Sequence, residues 1–186
     1  TVFAKRLGVS PDKICSVAIM PCVAKKAEAA LPSMQSNPGI PDIDYVLTTR
    51  ELGKLFDLGD IDLHYVKDAP FDRLFGDYSG AGVIFGMTGG VMEAALRSAH
   101  YFITGKNPEP DLYNIYQKEM SEEMPWHEAT YSIGGIRLHV AAVSGLANTK
   151  KLLEAVTHHE DHYDFIEVMA CPGGCSGGGG QPYHYD

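Results

Sequence analysis

Cys171 and Cys175 stand four apart in Met169-Ala170-Cys171-Pro172-Gly173-Gly174-Cys175, and Ser176, four glycines and Gln181-Pro182 follow. Two thiols in a loop this rich in glycine suit a metal cluster. Thiolates can converge there, and backbone N–H groups can reach sulfur without Cβ obstruction. A third cysteine, Cys22, lies far upstream in Met20-Pro21-Cys22-Val23-Ala24-Lys25-Lys26. Iron–sulfur clusters usually take four thiolates, so these three form an incomplete set. The remaining cysteine, Cys15, precedes Cys22 at the far end of the same predicted strand, given a rise of ~3.3 Å per residue. It reads as a buried small hydrophobe.

Around these thiols, Lys25 follows Cys22 by three positions and can neutralise thiolate charge or hydrogen-bond an anionic ligand; as a bare residue type, a lysine opening a helix is solvated. Met20 and Met169 each precede a cysteine by two positions and read as strand-core residues. His158, His159 and His162 include an i,i+4 pair of the kind that binds zinc, but they stand among Glu160 and Asp161 with no cysteine beside them, and read as a polar loop or helix end. Gly86 and Gly89-Gly90 do not make a dinucleotide fingerprint.

The elements that must position these residues follow from the pattern of apolar residues. Residues 14–20 form a short apolar, β-leaning run ending at Pro21, which suits a buried strand. Lys25 to Leu31 reads as a short helix stopped by Pro32. Residues 45–47 form a second strand, and Thr48 and Glu51 have capping-box spacing at the head of a helix carrying Leu52, Leu55 and Phe56 and stopping near Gly59. Thr88-Gly89-Gly90 leads into a helix from Val91 to about Ile103, with Gly105 as its stop. Asn107 to Ala129 is polar and proline-containing, and reads as a surface excursion. Residues 130–133 and 136–143, joined by Gly134-Gly135, predict a hairpin. Asn148 stands as a cap for a helix over 149–156. Residues 165–169 form a last buried strand that delivers Cys171.

This alternation predicts an α/β fold with a mainly parallel, about four-stranded sheet flanked by helices and one antiparallel addition. Ligands in such sheets sit at the carboxyl ends of strands. Cys22 and Cys171 both follow a strand end, and would meet at one edge if their strands were neighbours.

With 186 residues, 45% hydrophobic and 21% charged, the chain has the composition of a globular domain with a sizeable core. Its net charge of −9 argues against nucleic acid or anionic membrane partners. No apolar run approaches the ~20 residues of a transmembrane span. Four cysteines are too few for a disulfide scaffold, and in a reducing compartment their spacing favours metal binding. A chain opening on Thr1 reads as a processed or excised segment.

Three segments together resemble the catalytic domain of iron-only ([FeFe]) hydrogenases: Met20-Pro21-Cys22-Val23-Ala24-Lys25-Lys26-Ala27-Glu28, the run from Phe85 through Thr88-Gly89-Gly90-Val91-Met92-Glu93 to Arg97, and Met169 to Cys175 with its glycine-rich tail. The resemblance implies an H-cluster, a [4Fe–4S] cubane joined through one cysteine to a two-iron centre carrying CO, CN⁻ and a dithiolate. It implies that Cys22 and Cys171 ligate the cubane and that Cys175 bridges the two parts. Lys25 then hydrogen-bonds a cyanide, Met20 and Met169 pack against the two-iron centre, Phe85 walls the pocket, and Glu28 supports Lys25 or the strand end. The implied reaction is the reversible conversion of two protons and two electrons into hydrogen.

The family's earlier Thr-Ser-Cys-Cys-Pro-x-Trp motif, which supplies the remaining cubane ligand and a proton-passing cysteine, is absent from the sequence. The chain therefore resembles one α/β lobe, residues 1–186, of a two-lobed catalytic domain, and on that reading is inactive and cofactor-free alone. The implied partners are the upstream half, ferredoxin or NAD(P)-linked electron-transfer subunits, maturation proteins and, through the exposed lobe interface, a second copy. The implied location is the cytoplasm. Rival readings are a NARF-like iron–sulfur assembly factor, a sensory hydrogenase and a cofactor-free interaction module. The Thr88 to Arg97 run favours hydrogenase over the NARF-like relatives, and Met20 argues against the sensory class.

Overall fold

The computed structural model describes residues 2–73, 79–115, 120–121, 123–158 and 162–182. Two compact units are present, one of residues 1–77 with 178–186 and one of residues 78–177.

Unit one is built on a parallel pair, β1 (Val17–Met20) and β2 (Tyr45–Thr48), in the register Val17↔Tyr45 to Met20↔Thr48. Pro21, with no N–H to donate, ends β1. α1 (Val2–Leu7) precedes the sheet, and α2 (Ala24–Ala29) follows β1 almost at once. α3 (Thr49–Leu58) opens with the expected capping box: Glu51 N–H donates to Thr48 Oγ1 at 3.2 Å, and Thr48 N–H donates to Glu51 Oε2 at 2.8 Å.

Cys15 is exposed rather than buried. Pairing starts only at Val17, and the Asp44 carboxylate takes the Ser16 N–H at 2.7 Å, so Cys15 lies outside the strand.

Unit two holds a mixed sheet in the order β3-β4-β5, from β3 (His127–Ile133), β4 (Ile136–Ser144) and β5 (Phe165–Met169). Gly134 and Gly135, with φ of 57° and 87°, make the two-residue hairpin turn between β3 and β4. β4 and β5 run parallel, joined through α6 (Leu146–Thr157). α4 (Ala81–Ile84) leads into α5 (Gly90–Thr104), which stops at left-handed Gly105.

β4 is the central strand of this sheet, and its stretch from Val140 to Val143 is apolar and buried on both faces. Val140 and Ala142 pack with Met92 and Leu96 of α5, and Ala141 and Val143 with Leu152 of α6.

The α/β class is as the sequence predicts, with strands divided between a two-stranded and a three-stranded sheet. β1 pairs with β2 and β5 with β4, so the strands leading to Cys22 and Cys171 are not ladder neighbours. Asn148 does not cap α6. It lies inside the helix and donates from Nδ2 to Ser144 O, while Gly145 takes the cap position.

The expected surface excursion is also corrected, because Tyr113, Ile115 and Trp126 are buried core residues. Trp126 Nε1 donates to Tyr163 OH at 3.0 Å, and that hydroxyl donates to Glu128 Oε2 at 2.6 Å. Trp126→Phe is expected to cost unit two about 1–2 kcal/mol, the worth of a buried hydrogen bond lost with its donor. Urea denaturation followed by circular dichroism checks this. No described helix is long and apolar enough to cross a membrane.

Candidate metal-cluster site

Unit one presents Cys22, half-buried, just past the end of β1. Lys25 sits in the first turn of α2 and pairs with Glu28 at 2.5 Å. Met20, Lys25, Glu28, Met34, Ile43 and Val46 line a groove of about 220 Å³. Met20, Lys25 and Glu28, singled out from the sequence, therefore share one wall.

The Cys22 turn is held from two directions. Gly180 N–H donates to Pro21 O at 2.8 Å, and Gly180 O accepts from Arg50 N–H at 3.1 Å. A Cβ at Gly180 would stand 2.9 Å from Pro21 O and from Thr48 Cβ, so the tail lies against this turn only as glycine. On the other side Lys26 Nζ reaches both Glu51 oxygens, at 2.9 and 2.8 Å, tying α2 to the head of α3.

That lysine, with the Thr48 N–H, holds the Glu51 carboxyl down at about 2, below its ordinary 4.5. A lowered carboxyl stabilises the fold above its unfolded value and loses that contribution as pH falls through the folded value. Unit-one stability is therefore expected to decline between pH 4.5 and about 2, and Glu51→Gln to flatten that part of the profile. Thermal unfolding across that pH range measures it.

Unit two presents the other two thiols in one loop. β5 ends at Met169, whose carbonyl accepts from Gly145 N–H at 2.9 Å. Half-buried Cys171 follows, then Gly173 and Gly174 turn the chain at φ of 76° and 94°, and exposed Cys175 opens a short 3-10 turn, Cys175–Gly177. The loop locks onto the segment before α5: Thr88 N–H donates to Gly173 O at 3.2 Å, and Ser176 N–H donates to Gly86 O at 2.8 Å. Ser144 Oγ accepts from Gly173 N–H at 3.3 Å. Phe85, at the C-cap of α4, is 46% exposed.

Among the described residues no cysteine is in a disulfide, and no three His, Cys, Asp or Glu side chains are gathered tightly enough to hold an ion. His158 caps α6, the His162 carbonyl meets His139 Nδ1, and His159 lies outside the described residues.

The model of the family described as "Iron only hydrogenase large subunit, C-terminal domain" matches residues 1–179. The chain belongs to this family. The Periplasmic [Fe] hydrogenase large subunit of Nitratidesulfovibrio vulgaris is 43% identical over 182 residues, which are 98% of this chain and 42% of that protein. The cytosolic Fe-S cluster assembly factor narfl of Danio rerio is 32% identical over 183 residues, covering 96% of this chain and 44% of that one. A variant of the [FeFe]-hydrogenase HydA1 from Chlamydomonas reinhardtii superposes with a TM-score of 0.80 at 35% identity, covering 98% of this chain and 52% of that chain. This iron-only hydrogenase domain thus spans less than half the length of the curated relatives it matches.

The donor types that each unit presents suit an iron–sulfur cofactor. The thiols are soft ligands suited to iron–sulfur chemistry. The glycine loop leaves its backbone open for N–H···S contacts. The buried Thr88 hydroxyl, against that loop, has no hydrogen-bond partner among the described residues and is a donor available to a bound acceptor.

Sequence reasoning overlooked Thr88 as a donor and Glu167 altogether. A lone acidic residue in the middle of the apolar strand Phe165-Ile166-Glu167-Val168-Met169 was the available signal for the second.

Proposed function

We propose that this chain is the later half of an [FeFe]-hydrogenase catalytic domain, a single lobe that completes its site only with the upstream half. The observation that carries the reading is the family match over residues 1–179, a range that contains Cys22, Lys25, Cys171 and Cys175. Cys22 and Cys171 would hold the cubane, and Cys175 would be the thiolate shared with the two-iron centre. When bound, the H-cluster would supply an open metal position at which electrons delivered by an external donor combine with protons in reversible hydrogen formation. The chain's own residues hold and shield it. Lys25, steadied by Glu28, offers its ammonium to a cyanide. Met20 and Met169 would pack against the two-iron centre, and Phe85 would shield the pocket from water.

Alone the chain turns over no hydrogen, since it lacks a fourth thiolate and a proton relay. Its partners are the upstream half, ferredoxin or NAD(P)-linked electron-transfer subunits and maturation proteins, in the cytoplasm, with a homodimer through the open lobe face in their absence. A second reading, an iron–sulfur assembly factor, draws on the narfl likeness.

A chimera in which this chain replaces the matched segment of Chlamydomonas HydA1 tests the cluster assignment. After anaerobic reconstitution, iron and sulfide analysis with EPR is expected to show one cubane per chain. A chimera that folds but takes up no cubane overturns the assignment.

A further inference from the structure

β5 carries a glutamate where a buried strand position calls for an apolar side chain. Glu167 is 6% exposed, and both of its oxygens are engaged: Oε1 accepts from Gly89 N–H at 2.6 Å and Oε2 from Met92 N–H at 2.7 Å. These donors belong to the N-cap and first turn of α5, a fifteen-residue helix with no side-chain cap of its own at Gly89. A carboxylate there meets unsatisfied N–H groups and the positive end of the helix, which offsets the cost of burying it. This is a bond between distant parts of the chain, across 78 positions.

The residues it anchors are those that grip the cysteine loop. Gly89 follows Thr88, whose N–H meets Gly173 O, and Gly86 O takes the Ser176 N–H. Gly174 lies so close to Gly86, Met87 and Thr88 that a Cβ would stand 2.7–2.8 Å from their backbone atoms. Glu167 itself precedes Met169 by two positions and Cys171 by four. The turn from Gly86 to Gly90 is therefore clamped at one end by a β5 side chain and at the other by the loop that β5 leads into.

We infer that Glu167 is a positioning residue whose carboxylate fixes the Gly86–Gly90 turn against β5 and thereby sets the conformation of the Cys171–Cys175 loop. Its catalytic consequence rests on reading those cysteines as cluster thiolates. Its conformational content does not, and the test uses the cluster-free full chain.

In Glu167→Gln one acceptor oxygen becomes an NH₂ that can only donate, at unchanged size. One of the two helix N–H groups then faces another donor. Amide exchange followed by NMR is expected to quicken at least about tenfold at Gly89 and Met92, and equally at Thr88 and Ser176, whose N–H groups donate to Gly173 O and Gly86 O and not to the altered side chain. Alkylation rates of Cys171 and Cys175, read by mass spectrometry, are expected to shift while that of Cys15 stays put. Faster exchange confined to Gly89, Met92 and the rest of α5, with both thiols unchanged, overturns the proposal and leaves Glu167 a helix cap.

If the variant does not fold, the wild-type chain decides. The four amides are expected to exchange through one opening with a common urea dependence, and independent openings overturn the proposal. Failure of the chimera to take up a cubane would count against the cluster assignment and leave these results standing.

Discussion

Replacing Cys175 by serine in the HydA1 chimera is expected to abolish hydrogen evolution while leaving the fold intact. In its proposed role Cys175 would hold iron. A thiolate is soft, polarisable and readily deprotonated, whereas a serine hydroxyl is a hard donor that keeps its proton near neutral pH. Losing a supporting group around a metal typically costs 10–100-fold, and removing the bridging ligand itself is expected to exceed that, at more than about 100-fold. Cys175 is exposed and its side chain makes no packing contribution to either core cluster, so a folding defect does not confound the result. Cys15→Ser is the control: Cys15 is exposed and outside β1, and full activity is expected. Gas chromatography of evolved hydrogen against a reduced dye, with circular dichroism alongside, gives both readings.

Gly174→Ala is expected to disrupt the same loop by sterics alone, with no metal involved. At φ of 94° a Cβ is strained, at about 1–2 kcal/mol. The added carbon would also stand 2.7 Å from Gly86 O and Thr88 N and 2.8 Å from Met87 C, all of them backbone atoms that cannot swing aside. The loop must back away, which stretches the Thr88–Gly173 and Ser176–Gly86 bonds, worth about 1 kcal/mol each. The expected total is about 3–4 kcal/mol.

Gly173→Ala separates the two causes. Its φ is also positive, at 76°, but a Cβ there meets nothing within 4 Å, so only the strain of about 1–2 kcal/mol applies. Gly179→Ala, with open space and no positive φ, is expected to fall within about 0.5 kcal/mol of wild type. Urea denaturation of the three variants should rank them in that order. Equal costs at 173 and 174 would show that the close approach does not matter.

Much of the fold was legible because local chemistry decides it. Thr48 and Glu51 announce a helix start through a reciprocal pair of bonds, Gly134-Gly135 announces a hairpin because both positions need positive φ, and the run from Phe165 to Met169 reads as a strand from its apolar residues. The helix over Gly90–Thr104 was visible in its apolar stripe and its terminal glycine. What local chemistry does not decide is which strands pair. β1 and β5 fell into different sheets, although each ends in a cysteine motif. Isolated aromatics such as Tyr113 and Trp126, set among prolines and polar residues, show no periodicity, so their burial follows from tertiary packing alone. Cys15 was misplaced by two residues of strand boundary.

The site divides in the same way. Cys22, Cys171 and Cys175 stand out by the chemistry of their motifs, and Lys25 only through the family resemblance. Glu167 and Gly174 matter through a partner segment some 80 positions away, and no window of sequence contains both.

The central claim is that this chain is half of a hydrogenase and not of an assembly factor. The most direct test is hydrogen evolution by the HydA1 chimera after maturation, measured beside this chain alone. Hydrogen from the chimera and none from the isolated chain is the predicted result. A chimera that holds its full cubane yet evolves no hydrogen, or an isolated chain that evolves it, would contradict the account.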